Sequence, residues 1–210
     1  QGDVQTTQGR AVEMEQFNLR NPSSMQLETK RFRKRVLSQF SEILTQSQTQ
    51  NELRALSFKH LQNPGDLVTW LNKSLESLLE SLSWVAEIQL QVSGEPLPAG
   101  AGAMAKENSV FLSFPYIKRL NEQLTADERF TQSEILQQLR QHLLFLALQE
   151  VIHILQMQRS EYDANFAWYN EPHFAYMAFG QFGVRWYELQ PIEKDAQELA
   201  GELVRQVLSE

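Results

Sequence analysis

The chain has 210 residues, enough for one domain with a proper core or one domain with a helical extension. Its 42% hydrophobic and 10% aromatic content is that of a globular protein, and its net charge of -7 argues against general affinity for nucleic acid or anionic lipid. It holds no cysteine, which excludes disulfides, thiol catalysis and thiolate-bound zinc.

In chain order, residues 1–24 are polar, contain Gly2, Gly9 and the breaker Asn21-Pro22-Ser23-Ser24, and read as a flexible N-terminal arm. A helix is expected from Met25 to about Gln50, with Phe32, Val36, Phe40, Ile43 and Leu44 on one face. Its basic run Lys30-Arg31-Phe32-Arg33-Lys34-Arg35 reads as a solvated face, or as a contact for an acidic partner. A second helical stretch covers about 51–61. Asp66 is expected to cap a third helix carrying Leu67, Trp70, Leu71, Leu75, Leu78, Leu79 and Leu82. Together these form a helical N-terminal part over 25–83.

The period changes at Trp84. Residues 84–92 alternate towards their end and predict a half-buried strand; 93–107, rich in Gly and Pro, predict a loop or loose hairpin connection. Ser109 to Phe114 predicts a second strand, and a helix resumes near Tyr116. Thr125-x-x-Glu128 and Thr131-x-x-Glu134 are both candidate capping boxes, the second opening a central helix over about 132–158. That helix is apolar nearly all round in its middle. Gln149, His153, Gln156 and His142 fall in one narrow sector with Glu150 at its flank. A polar stripe on a buried helix needs partners or a cleft. Residues 160–190 are irregular and aromatic-rich, and Pro191 starts a last helix to about Leu208.

Gln149-Glu150-Val151-Ile152-His153 is one residue away from H-E-x-x-H, in which two histidines one helical turn apart hold zinc and the glutamate is the general base. Continued as His153-x-x-Gln156, preceded by Ser109-Val110-Phe111-Leu112-Ser113 and followed by Pro191-Ile192-Glu193-Lys194-Asp195-Ala196-Gln197-Glu198-Leu199-Ala200, it resembles the gluzincin type of the zincin-like metallopeptidases. The resemblance covers residues 84–205. It implies an α+β fold, mainly helical, with a small sheet beside a central buried motif helix. The zincin-like core would span 84–210 and form one compact unit with 25–83.

Carried over by position, the resemblance makes His153 the second metal ligand, Glu193 the third and Glu150 the base. Gln149 stands at the first-ligand position. Asp195 is a candidate to orient a ligand, or an ordinary acid complementing the helix dipole. Ser109, Phe111 and Ser113 would border the substrate groove, which Tyr187 or His173 could face. The amide oxygen of Gln149 is a poor zinc donor, so zinc binding should be weak or absent and Glu150 would lack an acidified water. The implied protein is a pseudo-peptidase, a pseudoenzyme that keeps a groove for a peptide or protein segment. Three alternatives stand beside it. One is an active metallohydrolase using His153, Glu193 and an unusual ligand such as His142 or His173. Another is a di-iron protein, for which Glu150-x-x-His153 is a half-motif without a second copy. The last is a non-enzymatic interaction module that binds a peptide strand beside Ser109–Phe114. No signal peptide and no membrane span are visible, so a soluble protein of open compartment is expected.

Overall fold

Six apolar positions along one helix show how the chain builds its core. In α3 (Pro64–Leu82), Leu67, Trp70, Leu71, Leu75, Leu78 and Leu82 are buried together with the small polar Ser74. Ser74 satisfies its hydroxyl locally, donating to the Trp70 carbonyl at 2.8 Å. Fully burying each leucine contributes about 1.5–3 kcal/mol relative to exposure. The computed structural model describes residues 22–162 and 191–209. Within them the chain is mainly helical with a three-stranded mixed sheet, the α+β class expected.

Before α3 come α1 (Pro22–Leu44) and α2 (Ser47–Arg54), then a single 3-10 turn at Phe58–Leu61. The continuous helix expected to Gln50 is broken at residues 45–46. There the Thr45 hydroxyl donates to the Ser41 carbonyl at 2.6 Å. Gln50 Nε2 donates to the carbonyls of Leu44 and Val207, at 2.8 and 3.0 Å. A side chain thus takes a carbonyl that a continuing helix would have used. The end of α2 is closed likewise: Trp70 Nε1 donates to Glu52 O at 2.9 Å and Arg140 Nε to Leu53 O at 2.8 Å. The cap of α3 is Asn63, not Asp66. Asn63 Oδ1 accepts from the Asp66 N–H at 2.8 Å, and Asn63 Nδ2 donates back to the Asp66 carboxylate at 2.7 Å. Asp66 therefore stands in the first turn and closes the box from inside.

The sheet contains β1 (Gln89–Ser93), β2 (Ala103–Lys106) and β3 (Ser109–Ser113), in the order β1-β3-β2. β1 runs parallel to β3, pairing Leu90 with Val110 and Val92 with Leu112. β2 runs antiparallel to β3, pairing Met104 with Phe111. β2 replaces part of the loop expected over 93–107. A tight hairpin makes it, with Glu107 at a φ of 54° between the two strands. β1 begins later than expected, and Trp84 belongs to the turn after α3.

α4 (Phe114–Ala126) starts two residues before Tyr116 because Ser113 caps it, its Oγ accepting from the Tyr116 N–H at 3.2 Å. Thr125 lies inside α4 and opens no new turn. Asp127 shapes the connection, accepting from the Arg129 N–H at 3.1 Å and from its guanidinium. The expected Thr131–Glu134 box is present. Glu134 Oε2 accepts from the Thr131 N–H at 2.7 Å, and Thr131 Oγ1 accepts from the Glu134 N–H at 3.2 Å. It opens α5 (Gln132–Tyr162), which runs one turn beyond its expected end. The last helix, α6, spans Pro191–Leu208 as its sequence predicts.

The chain divides into two compact units, residues 1–36 with 156–195 and residues 37–155 with 196–210. In the first, Ile192 is buried with Phe32 and Met157 packed against it. The second contains the sheet, α2, α3 and α4 entire, and most of the buried leucines. Among the described residues no helix is long and apolar enough to cross a membrane.

Candidate functional site on the central helix

Through its middle α5 is surrounded by apolar packing: Leu143, Leu144, Ala147, Leu148, Val151, Ile152, Ile154 and Leu155 are all buried. The polar stripe interrupts this environment. Gln149 and Glu150 are half-buried, His153 is 8% exposed and Gln156 is 1% exposed. Groups that polar at that depth stay only where they are hydrogen-bonded. Gln156 shows how. In the first unit its Nε2 donates to the Ile192 carbonyl at 3.2 Å, tying the end of α5 to the first turn of α6.

Glu193 stands in that first turn and is 3% exposed, beside buried Ile192 and Ala196. A helix N-terminus is the favourable place for a buried carboxylate, because the helix dipole and the free N–H groups of the first turn stabilise its charge. Asp195 has a definite partner in the same unit: its Oδ1 accepts from Arg33 Nη1 at 2.6 Å. Arg33 is thereby drawn out of the basic run expected to be solvated.

His142 lies on the stripe but serves elsewhere. Its Nε2 is 3.0 Å from Tyr116 Oη, and the two rings are stacked at 5.8 Å with 22° between their planes. Burial pulls its pKa below the ordinary 6.5. Three turns of helix place it roughly 16 Å along the axis from His153, too far for two imidazoles to share one ion. Its expected role as a substitute ligand beside His153 is therefore corrected. His173 and Tyr187 lie outside the described residues.

Ser109 and Phe111 are half-buried on one face of β3, while Val110 and Leu112 are fully buried on the other, the period-two alternation of a strand. Ser113 is buried and its hydroxyl is engaged in capping α4. The strand-addition mode beside Ser109–Phe114 is overturned by the sheet order. β3 is central, with β1 on one edge and β2 on the other, so its backbone groups are paired on both sides.

The donors that the sequence nominates for a metal are one imidazole, one carboxylate and an amide. That set falls short of the three strong ligands a catalytic zinc requires. Among the described residues no group of three His, Asp or Glu side chains is placed to hold a metal ion. The Tyr116–His142 pair, by contrast, was not anticipated. It joins positions 26 apart across two helices, and no local pattern marks it. No protein-family model, curated protein or solved structure matches the chain.

Proposed function

We propose that the chain is a degenerate zincin-like protein of the gluzincin type: a pseudo-peptidase scaffold with weak or no zinc binding, no ordinary peptidase turnover and a groove for a peptide or protein segment. The observation that carries this reading is the burial of His153 and Glu193. They are ionisable side chains buried on helices, at the positions the motif assigns to metal ligands. A satisfied core histidine explains His153 alone. It does not explain why the buried carboxylate falls on the third residue of a helix that reads Pro-x-Glu-x-Asp-Ala-x-x-Leu-Ala. The mixed sheet before a long capped helix agrees with the same reading.

In this scheme Gln149 replaces a strong donor by a weak one. Its amide keeps the stripe polar and offers both a donor and an acceptor to its surroundings. Glu150 stays half-buried one residue on, where an active enzyme would need its base. The Gln149 substitution withdraws the acidified water that such a base works on. Because β3 is flanked on both sides, a peptide adding to the sheet would pair with an outer strand, β1 or β2.

Metal analysis of protein purified without added zinc, together with a peptidase assay, tests the reading. Substoichiometric zinc and no cleavage are expected. Stoichiometric zinc, with cleavage abolished by Glu150→Gln, would overturn it.

A further inference from the structure

The described residues include two exposed large apolar side chains, Leu27 at 48% and Trp84 at 83%. Leu27 shares a helix sector with basic residues, and Trp84 stands between acidic residues in the sequence. Leu27 lies on α1 with exposed Lys30, Lys34 and Arg35. At 100° per residue these four side chains occupy a sector of about 140° with Leu27 inside it. None of the three cations has an ion-pair partner among the described residues. Trp84 lies in the turn after α3, between exposed Glu80 and Glu87 in the sequence. Neither of those carboxylates has an ion-pair partner there either.

A single exposed leucine is ordinary on a protein surface. An indole left that far in water between two acids of the sequence, and a leucine within a basic helix sector, are complementary in charge. We propose that the chain self-associates through this pair, the Trp84 turn of one copy packing on the Leu27 stripe of another. The indole covers Leu27 and offers its face to the surrounding ammonium and guanidinium groups. Glu80 and Glu87 pair with Lys30, Lys34 and Arg35 around that apolar centre, where rim charges set orientation and association rate. The two surfaces differ, so the contact is heterologous, and each copy still presents the unused half to a further copy. Nothing in it depends on the metal-site reading, which concerns α5 and α6.

Sedimentation equilibrium of the full chain at about 100 µM is the test, with salt varied from about 50 to 500 mM. Concentration-dependent association that weakens with salt is expected. Trp84→Ser, a change at an exposed site that leaves the core untouched, should raise the dissociation constant at least about tenfold. The double variants Lys34→Glu with Arg35→Glu, and Glu80→Lys with Glu87→Lys, should each be monomeric alone and should associate when mixed, because each then meets its opposite charge. A wild-type chain that is monomeric throughout overturns the proposal, and so does association indifferent to Trp84→Ser or to the charge reversals. A monomer whose α1 stripe instead binds vesicles of anionic lipid, and loses them on Lys34→Glu with Arg35→Glu, also overturns it.

Discussion

Asp195 accepts a hydrogen bond from Arg33 at 2.6 Å across 162 positions of sequence, the carboxylate mostly buried and the guanidinium about a third exposed. The contact gives each residue a partner that the sequence did not reveal. Arg33 is not a plain member of a solvated basic run, and Asp195 holds a cation rather than only answering a helix dipole. A double-mutant cycle should give a coupling of about 1 kcal/mol between Arg33→Ala and Asp195→Ala, reduced in molar salt. Equal costs for the two single variants mean that the pair is the source. A cost confined to Asp195→Ala would return that residue to the dipole reading.

Gly102 is required by a neighbour, not by its own backbone. A Cβ there would fall 2.9 Å from Tyr116 Cε1 and 3.1 Å from its Cδ1 and Cζ. Among the described residues Gly100 is the glycine with positive φ, so alanine at 102 meets no backbone penalty. Gly102→Ala should therefore cost about 1–3 kcal/mol by overpacking, measured by urea unfolding. In a Tyr116→Leu background most of that cost should vanish. If it persists there, the constraint lies in the backbone, where the Gly102 carbonyl accepts from the Ser113 N–H at 2.8 Å.

The same ring stacks on His142, and the burial of that imidazole makes stability depend on pH. Burial lowers the folded pKa of His142 below 6.5. Below pH 6.5 the unfolded chain therefore takes up a proton that the folded chain refuses. Stability is fully present above that pH, falls as pH drops towards the folded pKa, and levels off beneath it. His142→Gln should flatten the fall between about pH 7 and 5 relative to wild type, read as the urea midpoint. A variant with the same pH profile as wild type would show that His142 protonates as freely folded as unfolded.

The sequence was legible where local chemistry decides structure. The Thr131–Glu134 box, the leucines of α3 and the Pro191 start of α6 are set by residues within a few positions of one another. It was illegible where distant pairing decides. β2 is Ala-Met-Ala-Lys, with no β-branched or aromatic residue, and it is a strand because β3 lies beside it. α1 stops at Leu44 because Gln50 takes its carbonyl. On the candidate site, helical periodicity located the stripe, and its deeper members, His153 and Gln156, are buried. The periodicity could not tell that His142 on that stripe turns to Tyr116, because 100° per residue fixes a direction and not a partner.

Gln149→His tests the candidate site directly. The change restores a pair of histidines one turn apart on α5, four residues from Gln149 to His153, the spacing at which two imidazoles face the same point beside the helix. If the positions are those of a zincin, the variant should take up about one zinc per chain and gain thermal stability with added zinc, since a metal that binds only the folded state stabilises by mass action. Removing Glu193 as well, by Glu193→Gln, should then lower the affinity sharply. Gln149→His together with His153→Ala should abolish it. Cobalt substituted for zinc offers an independent readout, because the coordination number of the bound ion shows in its absorption spectrum. A variant that folds like wild type yet binds no zinc would leave His153 and Glu193 as satisfied core residues and remove the basis for the pseudo-peptidase reading.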